Sequence, residues 1–469
     1  MNEKLEIGLD FLNWDKHLNS MKVSSLGYMP WWKDQASLIN ETADISKPLT
    51  SSSNLVDKFP RTTPLVVAYA VSLVKCGDHQ NHIAGLIDAA LVLLHSIHKI
   101  SSRNPLSGSK YDYKMYAIVH SKAQVCADVL KKVGFEIIIV DPPVETKEIK
   151  GKFLRENIHK ERCCGHDEFI KLYAYTLPEE IIVHTDLDFT FFKPMDHLFD
   201  AIHFSKDSPE GKTARNIIEL ERPGEELPDK IGAFLTRDWT QTARGNWPPG
   251  FQAGFLVARR DPSVVDDLVK IIKEGNYSEG WGKTSGWGNK GYGGYVGAMA
   301  MQGLIAYYYD HFRTNNAVEL NQCLYNHVGV DVKSRGKCRN ELDTCEDCRK
   351  TSLDKIYSTH YTTCRKPWLC QATGAKGGKK EGGGRASAIN TDTVILEHCL
   401  QIVREWHLIR SDLESSIYEL TNDDSIKLGV AGDYRKDIFQ GHCDDDGGNN
   451  YLQLSLRDEN MNRIQELYV

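Results

Sequence analysis

Asp186 and Asp188 stand one residue apart in the run Ile-Ile-Val-His-Thr-Asp-Leu-Asp-Phe-Thr-Phe-Phe, from Ile181 to Phe192. The run is apolar and β-branched, as a buried strand requires. Residues i and i+2 of a strand point to one side, so both carboxylates aim at one spot where the chain leaves the sheet. Hard oxygen donors placed together suit a divalent cation. The competing reading is an Asx turn closing the strand, because Asp is common there.

Two more stretches carry chemistry. His360-Tyr-Thr-Thr-Cys-Arg-Lys366-Pro-Trp368 offers an imidazole nitrogen and, six residues later, an ammonium group. Alone, His360 reads as a structural histidine and Lys366 as a solvated charge. The third stretch is Phe251-Gln252-Ala253-Gly254. Five of the twelve cysteines, Cys338, Cys345, Cys348, Cys364 and Cys370, crowd into one window. Local disulfides explain that crowding; the rival reading is zinc on Cys345, Cys348, Cys338 and Cys364, weakened by irregular spacing. Sequons at Asn40 and Asn276 permit glycosylation.

The elements that must position these residues follow from periodicity. Leu65 to Leu73 reads as a strand, and Ile83, Leu86, Ile87, Ala90, Leu91 and Leu94 form the stripe of an amphipathic helix. Met115 to Val119 repeats the strand, Val125, Val129 and Val133 mark a helical face that Gly134 ends, and Phe135 to Val140 reads as a buried strand. A helix around Glu168 to Tyr175 leads into the Asp-bearing strand. Phe251 to Ala258 is a further strand, and Asp261-Pro262 caps a helix from Ser263 to Glu274. Gly275 to Gly297, with Trp281, Trp287, Tyr292 and Tyr295, reads as a mobile loop offering aromatic faces. Leu304 to Tyr309 and Ile356 to His360 read as strands, and Leu396 to Leu420 as a long helix that docks on the main domain. Alternating strands and helices imply an α/β fold with a largely parallel sheet covered on both faces, its ligands at the strand C-terminal ends.

The domain plan is an arm over 1–60, a catalytic domain over 61–371 whose 331–371 segment closes the site, a Gly/Lys-rich linker over 372–390, and a C-terminal helix and tail over 391–469. Asp444 to Asp446 reads as a solvated turn. With 469 residues, 41% hydrophobic, the chain can bury a large core. A net charge of −7 gives no reason to expect nucleic acid or an anionic membrane as partner. No apolar stretch is long enough to span a bilayer. Met1 to Ser20 is charged from Glu3 onward and lacks a secretory signal. The expected compartment is therefore the cytoplasm, or a Golgi or other secretory lumen if the chain lacks its native anchor.

Taken together, the Asp186/Asp188 pair, Phe251 to Gly254 and His360 to Trp368 resemble the glycogenin-like glycosyltransferases of family 8. Phe169-Ile-Lys171-Leu172, Lys193-Pro-Met-Asp-His-Leu-Phe199 and Gln302-Gly303-Leu304 extend the resemblance, which covers roughly Pro64 to Trp368. It implies a GT-A type, Rossmann-like mixed sheet, here with a C-terminal helical extension. It also implies a retaining transfer from a nucleotide-diphosphate sugar, with a UDP-sugar as first expectation, to a glycan or protein acceptor. Asp186, Asp188 and His360 would hold manganese, or magnesium as second choice; Lys171, Gln252, Gly254 and Lys366 would bind the donor, and Gln302 would line the reacting face. Met301 stands where the family often has an acid, and Gln252-Ala253 departs from its Asn-x, so a carboxylate expected beside the sugars is missing. Two other classes compete. Asp186-Leu-Asp188-Phe-Thr190 also fits a haloacid-dehalogenase-like phosphatase, with the first Asp as nucleophile and the second as acid, although that family opens near its motif. A non-catalytic sugar-nucleotide or glycan-binding module is the third.

Overall fold

The computed structural model describes residues 64–76, 80–161, 165–222, 224–239, 249–280, 282–329, 346–362, 364, 366–369, 393–423, 454, 460 and 463–468. The N-terminal arm, the Gly/Lys-rich linker, Trp281, Asn40, Asp444 to Asp446 and Cys338, Cys345 and Cys370 lie outside them.

Strand β1 (Leu65–Leu73) sits inside the sheet and is buried from Val67 to Val71 and at Leu73, with alternate residues facing opposite layers. Val67, Tyr69 and Val71 pack in one core with Leu91 and Leu94 of helix α1 (Gln80–Lys99), while Ala68 and Ala70 pack with Ile170 and Ala174 on the other side. That two-sided burial is why β1 reads as a continuous apolar run. Strand β2 (Tyr111–His120) is longer than Met115 to Val119, because its first half alternates buried Tyr111 and Tyr113 with partly exposed Asp112 and Lys114. The following turns begin as a 3₁₀ segment, Ser121–Cys126, before helix α2 (Ala127–Lys132). The tighter 3₁₀ winding takes Val125 off the expected face and leaves it 80% exposed. Strand β3 (Glu136–Val140) is an edge strand, not a buried one: among the described residues β2 is its sole neighbour in the sheet, and Ile139 is exposed.

Strand β4 (Ile181–Thr185) is fully buried, and the short β5 (Phe189–Phe191) leaves the main sheet. Helices α3 (Asp196–His203) and α4 (Pro209–Leu220) come next, then β6 (Ala233–Arg237) and β7 (Phe251–Arg259). Helix α5 (Pro262–Glu274) starts as expected, with the Asp261 side chain accepting from Ser263 N. Among its described residues, the Gly275 to Gly297 stretch does not present Trp287, Tyr292 and Tyr295 as open aromatic faces. It forms the hairpin of β8 (Tyr277–Ser278) and β9 (Gly286–Trp287), with Trp287, Tyr292 and Tyr295 buried and Trp287 Nε1 donating to Ala298 O at 2.9 Å. Met301–Tyr307 forms helix α6, continued by a π-helical turn, so the expected strand at Leu304 to Tyr309 is corrected. A short apolar run fits a buried strand and a buried helix equally well.

With β10 (Ala317–Glu319) the main sheet has the order β10-β6-β7-β4-β1-β2-β3. The pairs β1-β2, β2-β3, β1-β4 and β10-β6 are parallel, and β7 runs antiparallel to both β4 and β6. This is a mixed, mostly parallel sheet with helices on both faces. Strand β11 (Ser358–His360) pairs with β5 in a separate antiparallel ribbon. Helix α7 (Thr393–Thr421) packs along α1, where buried Arg410 lies 3.3 Å from Asp88 and 2.8 Å from Glu414. Among the described residues no helix is long and apolar enough to cross a membrane.

Candidate functional site

Strand β4 releases the chain at Thr185, and Asp186 N then donates to Gly254 O on β7 at 3.2 Å, which fixes where the first carboxylate stands. Two residues later the chain re-forms as β5. Its register with β11 sets His360 opposite Phe189, the neighbour of Asp188. Tyr361 N donates to Asp188 O at 2.9 Å and closes the joint. Two segments far apart in sequence thus meet at one point through a short ribbon.

The meeting is close. His360 Nε2 lies 3.3 Å from Asp188 Oδ2 and 3.7 Å from Asp186 Oδ2, and one ligand atom from each residue falls within 4.8 Å of the others. The imidazole is aimed from behind: His360 Nδ1 and Asn326 Oδ1 are 3.1 Å apart, and since the amide oxygen can only accept, Nδ1 carries the hydrogen. That leaves the Nε2 lone pair facing the carboxylates, the arrangement a metal-ligating histidine needs. Asn326 is held in turn, buried in the left-handed region at φ 53°, with Nδ2 donating to Thr236 Oγ1 at 2.7 Å. Gly254 supplies the room. A Cβ there would run into His360 Cε1 and come within 2.9 Å of Asp186 Oδ2. Two carboxylates and one imidazole nitrogen form a donor set suited to manganese or magnesium, so the residues fit a divalent cation.

Lysines flank the acids. Lys171, on the 3₁₀ turns Gly165–Thr176, donates to Asp186 Oδ1 at 2.9 Å and to Glu168 Oε1 at 3.0 Å, and Lys366 pairs with Asp188. Burial pushes the Asp186 carboxyl up, yet Lys171 and His360 hold it below its ordinary value. Burial acts likewise on Asp188, and Lys366 with His360 overrides it, holding that carboxyl far below the usual carboxylate range. His184, between these groups and β1, is pushed down to about 3 by burial and shares a hydrogen bond of 2.8 Å with Ser72 Oγ. It is a neutral wall.

Of the residues singled out in the sequence, the structure brings together Asp186, Asp188, His360, Lys171, Lys366 and Gly254. Gln252 stands beside them, but its amide oxygen is committed to Gly254 N at 2.6 Å. Gln302 lies in the first turn of α6, its side chain against Gly297 and its Oε1 buried without a hydrogen-bond partner among the described residues. It is joined to the acids indirectly: the preceding Met301 N donates at 3.3 Å to Glu168 Oε2, whose other oxygen holds Lys171. Glu168 and Asn326 were not expected as site residues. Glu168 had a local signal, three residues before Lys171 on helical turns; Asn326 had none. The zinc reading is corrected: Cys348 is bonded to Cys323 and Cys364 to Cys399, so neither offers a thiolate. A third disulfide joins Cys76 and Cys126.

No sequence-family profile matches the chain, and no curated protein does. Solved structures similar to it include mouse xyloside xylosyltransferase 1 in its apo form, at 13% identity and a TM-score of 0.32, covering 63% of this chain and 98% of that one. The galactosyltransferase LgtC in complex with donor and acceptor sugar analogues is similar at 9% identity and a TM-score of 0.33, covering 74% of this chain and 96% of that one. The glycosyltransferase GlyE of Streptococcus pneumoniae TIGR4 is similar at 13% identity and a TM-score of 0.32, covering 75% and 64%. These likenesses are remote, and the functional reading rests on the site.

Proposed function

We propose that this chain is a metal-dependent glycosyltransferase of GT-A type, similar to family 8, that moves a sugar from a nucleoside diphosphate to a glycan or protein acceptor with retention of configuration. A UDP-sugar is the first donor to test. One observation carries the reading: Asp186, Asp188 and His360 converge within 4.8 Å between two lysines. These three residues would hold a divalent cation, manganese before magnesium, which stabilises negative charge on a departing diphosphate.

The remaining work falls to the chain's own groups. Lys366, a third exposed over Asp188, would add a positive charge to the diphosphate, and Lys171 would bind the donor from the Asp186 side. Asn326 keeps the His360 ring in one tautomer, and Gly254 leaves the space in front of it open. Gln302, with a buried amide oxygen still free to accept, would line the reacting face. For retention, the acceptor hydroxyl would attack from the face the diphosphate leaves, its proton passing to the leaving group.

The phosphatase reading requires the second carboxyl to donate a proton. Asp188 is bracketed by Lys366 and His360 and held ionised, which suits a ligand and not an acid. Three disulfides among the described residues support an oxidising secretory lumen as the compartment. The test is a panel of UDP- and GDP-sugars incubated with manganese, product anomers read by NMR. Release of the α- or β-anomer matching the donor, lost in Asp188→Asn and His360→Ala, is expected. Hydrolysis of a generic phosphoester with no use of sugar nucleotides would hand the site to the phosphatase, and binding without turnover would make it a module.

A further inference from the structure

Beyond His360 the chain leaves the β5-β11 ribbon and must still deliver Lys366 to Asp188. The described residues of that span lean on α1 and α7. The Tyr361 hydroxyl donates to Ile402 O at 3.2 Å and meets Thr190 Oγ1 at 2.9 Å. Cys364, two residues before Lys366, is bonded to Cys399. The Trp368 ring lies 6.3 Å from that of Trp406 and fills the space where Gly85 of α1 has no Cβ. His398 Nε2 stands 2.6 Å from His327 Nε2, and the His327 backbone brackets β11, donating to Ser358 O at 3.0 Å and accepting from His360 N at 2.9 Å. His398, Cys399 and Trp406 each lie three or four residues from Ile402, so the four share one face of α7.

We propose that this face of α7 is a clamp for the donor-binding segment, with Cys399 and Trp406 as positioning residues that hold Lys366 over Asp188. The role assigned to Lys366 rests on the function proposed above; the clamp itself rests on the contacts. The two halves of the segment are held differently. His360 is fixed by the ribbon register and by Asn326, both independent of α7's sulfur and indole. Lys366 lies beyond the paired residues of the ribbon, between Cys364 and Trp368, which hold to α7 and α1. Releasing the clamp therefore loosens the diphosphate contact and spares the metal ligands.

The test uses the full chain as Cys364→Ser/Cys399→Ser and, separately, Trp406→Ala, each also on a Lys366→Ala background. Affinity for manganese alone and for UDP in the presence of manganese is measured by calorimetry. Each clamp variant is expected to weaken UDP binding about tenfold, to leave manganese affinity unchanged, and to add nothing once Lys366 is gone. Losses that add to Lys366→Ala, or that fall equally on manganese alone, would reduce α7 to a general structural support and overturn the proposal. A second readout is independent of any ligand: amide hydrogen exchange over 361–368 should quicken in the disulfide variant while β2 stays protected. Unchanged exchange there would also overturn the clamp. If the wild-type chain binds no UDP with manganese, the proposed function fails while the exchange result still judges the clamp.

Discussion

At the scale of single residues, the site depends on groups that never touch a ligand. Asn326→Ala removes the acceptor of the His360 Nδ1 hydrogen and lets the ring turn. Manganese affinity, followed by calorimetry, is expected to fall about 10- to 100-fold with the fold intact. Gly254→Ala drives a methyl into His360 Cε1 and to within 2.9 Å of Asp186 Oδ2 and Gln252 Oε1, so a neighbour must shift. Overpacking of this kind costs about 1–3 kcal/mol, to be read as a lowered denaturation midpoint accompanied by loss of metal binding. Asp186, Asp188, His360 and Lys366 were legible because strand period and a fixed six-residue offset are written in sequence. Asn326 and Glu168 were not, since a buried polar partner is recognised by what it faces, and that is decided only by β11 crossing onto β5.

At the scale of elements, β11 and α7 do what the long strands cannot. Three residues of β11 suffice to carry His360 to the acids because register with β5 fixes them. Helix α7 was legible from its apolar stripe, but its polar anchoring was not: Arg410 lies buried between Asp88 and Glu414. Burial pushes the Glu414 carboxyl up to about 7 despite Arg410 beside it. A carboxyl raised above its unfolded value binds an extra proton in the folded state between about pH 4.5 and 7, so stability falls as pH rises through that window. Thermal unfolding of the wild type is expected to lose about 1–3 kcal/mol more between pH 5 and pH 8 than that of Glu414→Gln. Identical pH profiles would remove this group from the account. Two of the misread elements show what periodicity leaves open. Apolar runs of six or seven residues, as at Leu304 to Tyr309, do not reveal helix or strand, and the glycine-rich aromatic stretch hid a hairpin whose rings fill a core.

At the scale of the whole molecule, the sheet brings the C-terminal end of β4 to the antiparallel β7, and the site forms where that end meets the β5-β11 ribbon. The α/β class and the placing of chemistry at a strand end followed from alternating patterns, whereas the order β10-β6-β7-β4-β1-β2-β3 did not, because strand neighbours are chosen by packing across the whole core. Disulfides tie the closing segment to α7 through Cys364–Cys399, and the end of β1 to the turn after β2 through Cys76–Cys126. The central claim is that the whole arrangement builds a seat for a metal-bound nucleoside diphosphate. Manganese titration of the full chain followed by electron paramagnetic resonance, with and without UDP, tests it most directly. A single bound ion, tightened by UDP and lost in His360→Ala, is the result expected; manganese binding that is absent, or indifferent to both UDP and His360, would contradict it.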